Sequence, residues 1–216
     1  MKLEHVEIQT NDIPKTIQFY TQTLGFKIVE NNSTTVSFQI GTSMLKLVEN
    51  KSFNSIYHLA FNIPNNKLDE AIKWCENKID LIRIDDQNVI TRFEAWNANA
   101  VYFYDNNGNL LEFIARHDLN NSQTEPFDTK SILNISEIGI VHEQPLVLGQ
   151  DLINKHELSF FSKNANSDVF AAIGDDEGLL IIVKPNRNWY PTQTPSESNK
   201  TAVRLTNNNK ITELNF

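Results

Sequence analysis

His5-Val6-Glu7-Ile8-Gln9 places two apolar side chains on one face and three polar ones on the other, the period of a half-buried strand. Asn11 and Asp12 follow as capping side chains, with Pro14 near the first helical turn. Ile13, Ile17, Tyr20 and Leu24 form a helical stripe that Gly25 ends. Phe26 to Glu30, Thr34 to Ile40 and Met44 to Val48 then read as strands, with turns at Asn31-Asn32 and Gly41-Thr42. The same order begins again at Tyr57-His58-Leu59-Ala60-Phe61. Leu68, Ile72 and Cys75 make a second helical stripe. Strands are expected over Leu81 to Ile84, Val89 to Ala95, Ala100 to Tyr104 and, after the turn Asp105 to Asn109, Leu110 to Ala115. Two βαβββ modules repeat with a period of roughly 50 residues.

After residue 117 the pattern changes. Residues 118–130 are polar, with little to bury, and read as a linker. Residues 131–216 carry a weaker third copy. Ile135 to Val141 supplies its strand, Leu146 to His156 its helix, and Val169 to Ile173 and Leu179 to Val183 two later strands. Ala202 to Leu205 adds one strand more, and Asn207 to Asn209 a turn or frayed end. The expected class is α+β: paired βαβββ modules in a cupped mixed sheet over residues 1–117, with a degenerate third module at the C-terminus.

The chain has 216 residues, 40% of them hydrophobic, enough for one large or two small cores. A net charge of −8 without a basic run argues against a nucleic-acid binder or an anionic membrane surface as partner. No secretory leader and no span of about 18 apolar residues is visible, so the expected location is the cytoplasm. Cys75, the single cysteine, sits in a helical stripe and reads as a small core residue.

The candidate chemistry lies in three residues. His5 and His58 open equivalent strands of the two modules, and Glu112 sits in the last strand of the second. Two imidazoles and a carboxylate form a facial ligand set that leaves positions open on a divalent ion. Glu112 stands among Leu110, Leu111, Phe113 and Ile114, where an unpaired charge is costly, and a metal would supply the partner.

At these residues the chain resembles the vicinal oxygen chelate superfamily, which includes lactoylglutathione lyase, fosfomycin-resistance thiol transferases, extradiol dioxygenases and bleomycin-resistance proteins. His5-Val6 with Phe19-Tyr20 and Leu24-Gly25-Phe26 is similar to its opening module. The stretch Tyr102 to Phe113 resembles its final hairpin, with Asn106 and Asn107 where Asp-Pro is commoner. The resemblance implies two modules paired into a cup, ligands from the first and last strands of each, and His5, His58 and Glu112 on three of four ligand positions. The fourth falls near Lys46, which departs from the lyases. Glu7 and Ala100 stand where the thiol transferases carry hydroxyl residues. No additional histidine of the dioxygenase kind lies in the first two modules.

Further residues are expected to line the same cup. Glu7 and Tyr102 are candidate catalytic groups, with Glu7 or Glu94 a general base, and Lys46, Glu94 and Trp96 are candidate substrate contacts. In the third module Glu137 aligns with His5 and Ile181 with Glu112, so that module makes no metal site alone. Its expected role is cover for the first domain, or pairing with a second chain as a homodimer. The reading is therefore a metal-dependent enzyme with one divalent ion (Fe, Zn, Mn or Ni) acting on a small molecule with vicinal oxygens. The alternative is a non-catalytic protein that binds a small aromatic or antibiotic molecule.

Overall fold

The computed structural model describes residues 1–216. Module 1 runs β1 (Lys2–Thr10), α1 (Ile13–Gln18), β2 (Lys27–Asn31), β3 (Thr35–Ile40) and β4 (Ser43–Glu49). Asp12 caps α1 by accepting the Lys15 N–H, and the helix continues as a π-helical turn over Phe19–Thr23. Module 2 repeats the order with β5 (His58–Ile63), α2 (Leu68–Cys75), β6 (Thr91–Phe93), β7 (Ala98–Tyr104) and β8 (Leu110–Arg116). In each, the first strand runs parallel to the last and the others pair antiparallel. The internal repeat is real.

The stretch Leu81 to Ile84 forms no strand. The neighbouring turn bonds to itself instead: Asp85 accepts the Gln87 N–H and Asn88 accepts the Ile90 N–H. These side chains compete with ladder pairing. β6 is correspondingly short.

Module 3 comprises β9 (Asn134–Val141), α3 (Pro145–His156), β10 (Phe170–Asp175) and β11 (Gly178–Val183), with β11 parallel to β9. The chain ends in a hairpin, β12 (Ala202–Asn207) and β13 (Lys210–Asn215). Asn208 and Asn209 turn it at φ 49° and 62°, the left-handed pair a tight hairpin requires.

The sheet order is β2-β3-β4-β1-β9-β5-β8-β7-β6, with β11 also on β9 and β12 also on β1. This corrects the expected pairing of residues 1–117 with themselves. β9 lies between β1 and β5, so module 2 pairs with module 3, and module 1 pairs with the C-terminal hairpin. The contact between the halves is narrow at the sheet: Leu3 faces Ile135, and the Ser43 hydroxyl donates to Leu3 O and accepts from Ile135 N. The reason is packing. β9 presents Ile135, Ile138 and Ile140 to one continuous core with Leu3, Leu59 and Phe61, so module 3 completes that core and does not merely cover it.

The stretch 118–130 is no free linker either. Asn65 Nδ2 donates to Leu119 O, Asn65 N donates to Asn121 Oδ1, Asn66 and Gln123 exchange two bonds, and Phe127 is buried. Asn121, Ser122 and Gln123 tie it to the module 2 loop at Asn65 and Asn66, while most of its other polar side chains stay exposed. No helix is long and apolar enough to cross a membrane.

Candidate metal centre

Pairing β9 beside β5 brings three acceptor side chains to one point. His58 opens β5, Glu112 lies on β8 and Glu137 on β9. In the ladders Ala60 stands opposite both Glu112 and Glu137, which sets the two carboxylates on either side of β5. His58 Nε2 is 3.6 Å from Glu112 Oε2 and 3.8 Å from Glu137 Oε2. All three residues are buried, and their acceptor atoms lie within 4.8 Å of one another.

Several features suit these groups to a cation. The separations are long for direct hydrogen bonds and close to the roughly 3.0–3.4 Å expected between donors about 2.1 Å from a common ion. His58 Nδ1 lies 3.2 Å from the Leu110 carbonyl oxygen. A proton donated there leaves Nε2 with a lone pair facing the carboxylates. Glu112 Oε1 is buried with no hydrogen-bond partner. Burial, and next the charge of Glu137, push the Glu112 carboxyl well above the usual carboxylate range, although Arg116 and the nearby Tyr102 hydroxyl pull the other way. A buried, unpaired acceptor beside a second carboxylate is costly, and a divalent ion would remove that cost.

Behind the cluster lies a chain of charges. The Arg116 guanidinium, fully buried, donates from Nη2 to Glu137 Oε1 and from Nε to the Ser136 hydroxyl. Its Nη1 faces Asp176 at 3.5 Å, and Lys163 joins Asp176 to Asp118, the latter at 2.7 Å. Glu137, Asp176 and Asp118 thus share two cations, while Glu112 has only the His58 ring within ion-pair distance.

The cluster forms the floor of a cavity of about 220 Å³ whose walls are largely aromatic, among them Phe93, Trp96, Tyr102, Trp189 and Tyr190. Tyr102 faces Glu112 across the β7–β8 ladder. Burial, then the Glu112 and Glu137 charges, hold its hydroxyl well above the usual phenol range, so it keeps its proton. The His58 and Trp189 rings lie 5.3 Å apart.

Of the sequence candidates, His58, Glu112, Tyr102 and Trp96 meet at this cavity; the others do not. His5 lies in module 1, in a polar cleft against the hairpin with Glu7, Arg204 and Glu213. Its Nε2 has no partner, and burial lowers its pKa. Glu7 is paired with Lys46 at 2.8 Å in the same module. Glu94 is exposed, on a 3-10 turn that turns it to a separate polar cleft with Asn97 and His117. The cup is built from modules 2 and 3, so His5, Glu7 and Lys46 on β1 and β4 face a different hollow. Glu94, although in module 2, is set apart by the 3-10 turn after β6.

Glu137 takes the place expected of His5, as their alignment at equivalent first-strand positions allowed. Ile181, at the fourth position, is an apolar part of the wall. Arg116, Arg187, Trp189 and Tyr190 had no sequence signal except that Arg116 extends an otherwise apolar strand.

Comparison with known proteins identifies the family of the first two modules. The family model described as "Glyoxalase/Bleomycin resistance protein/Dioxygenase superfamily" matches residues 2–113. Metallothiol transferase FosB of Staphylococcus haemolyticus (strain JCSC1435) is 27% identical over 117 residues, 51% of this chain and 80% of the relative. FosB of Staphylococcus epidermidis is also 27% identical over the same coverage. Among solved structures, a putative dioxygenase from Bacillus subtilis aligns with a TM-score of 0.59 at 16% identity, covering 90% of this chain and 64% of that one. A glyoxalase I mutant from Zea mays gives 0.59 at 14% identity, covering 92% and 71%. These two likenesses concern the fold alone. The family match stops before β9, so Glu137 lies outside it.

Proposed function

The chain belongs to the glyoxalase/bleomycin resistance protein/dioxygenase superfamily, and from that premise we propose that it is a metal-dependent enzyme of the glyoxalase type. In this reading His58, Glu112 and Glu137 hold one divalent ion, and a small molecule with vicinal oxygens occupies the positions left open toward the cavity. The observation that carries it is Glu112 Oε1, buried and unpartnered beside a second carboxylate and an imidazole lone pair.

An ion bound here would supply Lewis acidity to an oxygen of the bound molecule. The protein's own groups do the rest. Leu110 O orients the His58 ring, and Arg116 holds one Glu137 oxygen so that the other faces the cavity. Tyr102, kept protonated, offers an O–H donor to charge developing on a substrate oxygen. Trp189, Phe93 and Tyr190 restrict water.

One imidazole and two carboxylates make a harder set than two imidazoles and one carboxylate, the triad of non-haem Fe(II) oxygenases. That favours Mn(II) and weighs against dioxygenase chemistry. The relatives named metallothiol transferases make thiol transfer a candidate reaction of the same centre. One observation favours metal-free binding instead: Arg116 already neutralises Glu137.

The test is titration of chelator-treated, untagged protein with Mn(II), read by electron paramagnetic resonance. One ion per chain is expected. Glu112→Gln and Glu137→Gln should each weaken binding by more than about 100-fold, since even outer-shell changes cost about 10–100-fold. His5→Ala should bind as the parent does. No binding by the parent, or parental affinity in both glutamine variants, would refute the reading.

A further inference from the structure

Arg187 stands at the wall of the same cavity without an anionic partner. No carboxylate lies within salt-bridge distance of its guanidinium, and its one side-chain bond is a long one, 3.4 Å from Nη1 to the adjacent Asn188 carbonyl. All other basic residues at the centre are committed: Arg116 to Glu137 and Asp176, Lys163 to Asp118 and Asp176. Arg187 is half-buried, and the Phe170 ring lies 4.9 Å from its guanidinium carbon. Both residues line the cavity with His58 and Glu112.

The backbone holds this arginine in place. Arg187 N donates to Lys184 O, Ser196 N donates to Arg187 O, and Asn186 N donates to Ser196 O. Ser196 also ties its hydroxyl to Lys184 O, and Trp189 N bonds Thr194 O two residues further on. The segment between β11 and β12 is thus a braced strap that aims a cation, an indole and a phenol into one hollow. A half-buried guanidinium stacked on an aromatic ring and left unpaired lacks the counter-charge that such burial calls for. Burial indeed lowers its pKa.

The cavity also bounds the ligand. About 220 Å³ lies below the roughly 300–1,000 Å³ of pockets that take drug-sized molecules. The walls are ring faces, with Phe93 and Trp96 stacked at 5.6 Å and Tyr102 and Tyr190 edge-on at 6.1 Å. Such walls fit one flat group between two polar ends.

We propose that Arg187 is a specificity-determining residue that selects a small anionic substrate. A carboxylate or similar anion lies on Arg187, a flat apolar body lies among the aromatic rings, and the vicinal oxygens lie at the His58–Glu112–Glu137 end. The inference rests on the metal-centre reading for the second end of the ligand, and on Arg187 alone for the first.

The probes are 4-carboxybenzohydroxamate and its carboxymethyl homologue, each beside its methyl ester. The hydroxamate supplies two adjacent oxygens, the ring fills the aromatic space, and only the far end changes charge. Binding to Mn(II)-loaded protein is read by quenching of tryptophan fluorescence, with Mn(II) content measured in the same samples. At least one acid should bind about tenfold or more tightly than its ester, the size of a charge-assisted bond converted to affinity. Arg187→Gln should erase that preference and leave Mn(II) content and ester affinity unchanged, and Arg187→Lys should restore part of it. Equal affinity of acid and ester in the parent protein for both lengths would overturn the proposal. So would equal loss of acid and ester binding in Arg187→Gln. Failure of the metal reading looks different: no Mn(II) is retained and hydroxamate affinity ignores added Mn(II), while an acid preference that Arg187→Gln removes would still stand.

Discussion

Gly139 and Trp189 share a space that holds only one of them beyond the backbone. A β-carbon at position 139 would stand 2.5 Å from Trp189 Cη2 and 3.2 Å from the His58 Cβ. Real contacts of that kind do not reach 2.5 Å, and the far atom belongs to a rigid indole. Gly139 on β9 therefore lets Trp189 lie over the imidazole and close the cavity wall. Gly139→Ala should displace the indole, destabilise the fold by about 1–3 kcal/mol as overpacking does, and shift tryptophan emission to the red. Pairing it with Trp189→Leu should recover most of the stability, as denaturant unfolding would measure. Additive losses in the double variant would mean that the two residues do not compete for the space.

Cys75 is buried on α2, and burial raises its thiol from 9.0 to about 12. A thiol protonated in the folded chain at pH values where the unfolded one ionises gives a definite sign. The contribution is intact below about 9 and is lost as pH rises toward 12, because the unfolded state then releases the proton first. Stability measured by urea unfolding from pH 8 to 10.5 should therefore fall more steeply in the parent than in Cys75→Ala. Ellman's reagent at pH 8 should leave the native thiol untouched and modify it on unfolding, since the thiolate is the nucleophile. Rapid modification of the folded protein would contradict both statements.

Periodicity revealed the modules because strand and helix patterns are local. Val6 and Ile8, Ile13 and Tyr20, and their counterparts in module 2 each mark a buried face without knowledge of the partner. The pairing of modules was not local. β1, β5 and β9 all alternate or run apolar, and nothing in Leu3-Glu4-His5-Val6 says that it lies against β12 while Ser136-Glu137-Ile138 takes the place beside β5. Hence Glu137 is visible at the equivalent first-strand position, but only the pairing of β9 with β5 sets it, rather than His5, beside His58 and Glu112. Lys46 and Glu7 read as cup residues for the same reason, although they form an ion pair in the other half. Arg187 and Trp189 lie in a strap that has no period at all. Its shape comes from backbone bonds to Lys184, Thr194 and Ser196 and from side-chain bonds such as Ser196 Oγ to Lys184 O and Thr192 Oγ1 to Trp189 O.

Truncation separates the two halves of this architecture. A chain ending at residue 118 retains His5, His58 and Glu112 but loses β9, and with it Glu137 and the strand that covers one side of β5. Leu59, Phe61 and Ile63, all fully buried in the intact protein, then border an open edge. An unpaired apolar edge is a template for aggregation. The expected product is insoluble, and any soluble fraction recovered by refolding should fail to retain Mn(II). Removing residues 200–216 instead deletes only the β12–β13 hairpin, which pairs with β1 and lines the His5 cleft. That variant keeps His58, Glu112, Glu137 and the strap as far as Asn199, so it should hold Mn(II) while melting at a lower temperature. Metal content and melting temperature of the two truncations decide the matter together. A soluble chain of residues 1–118 that binds Mn(II) like the whole protein would show that modules 1 and 2 build the site by themselves and that Glu137 is not part of it.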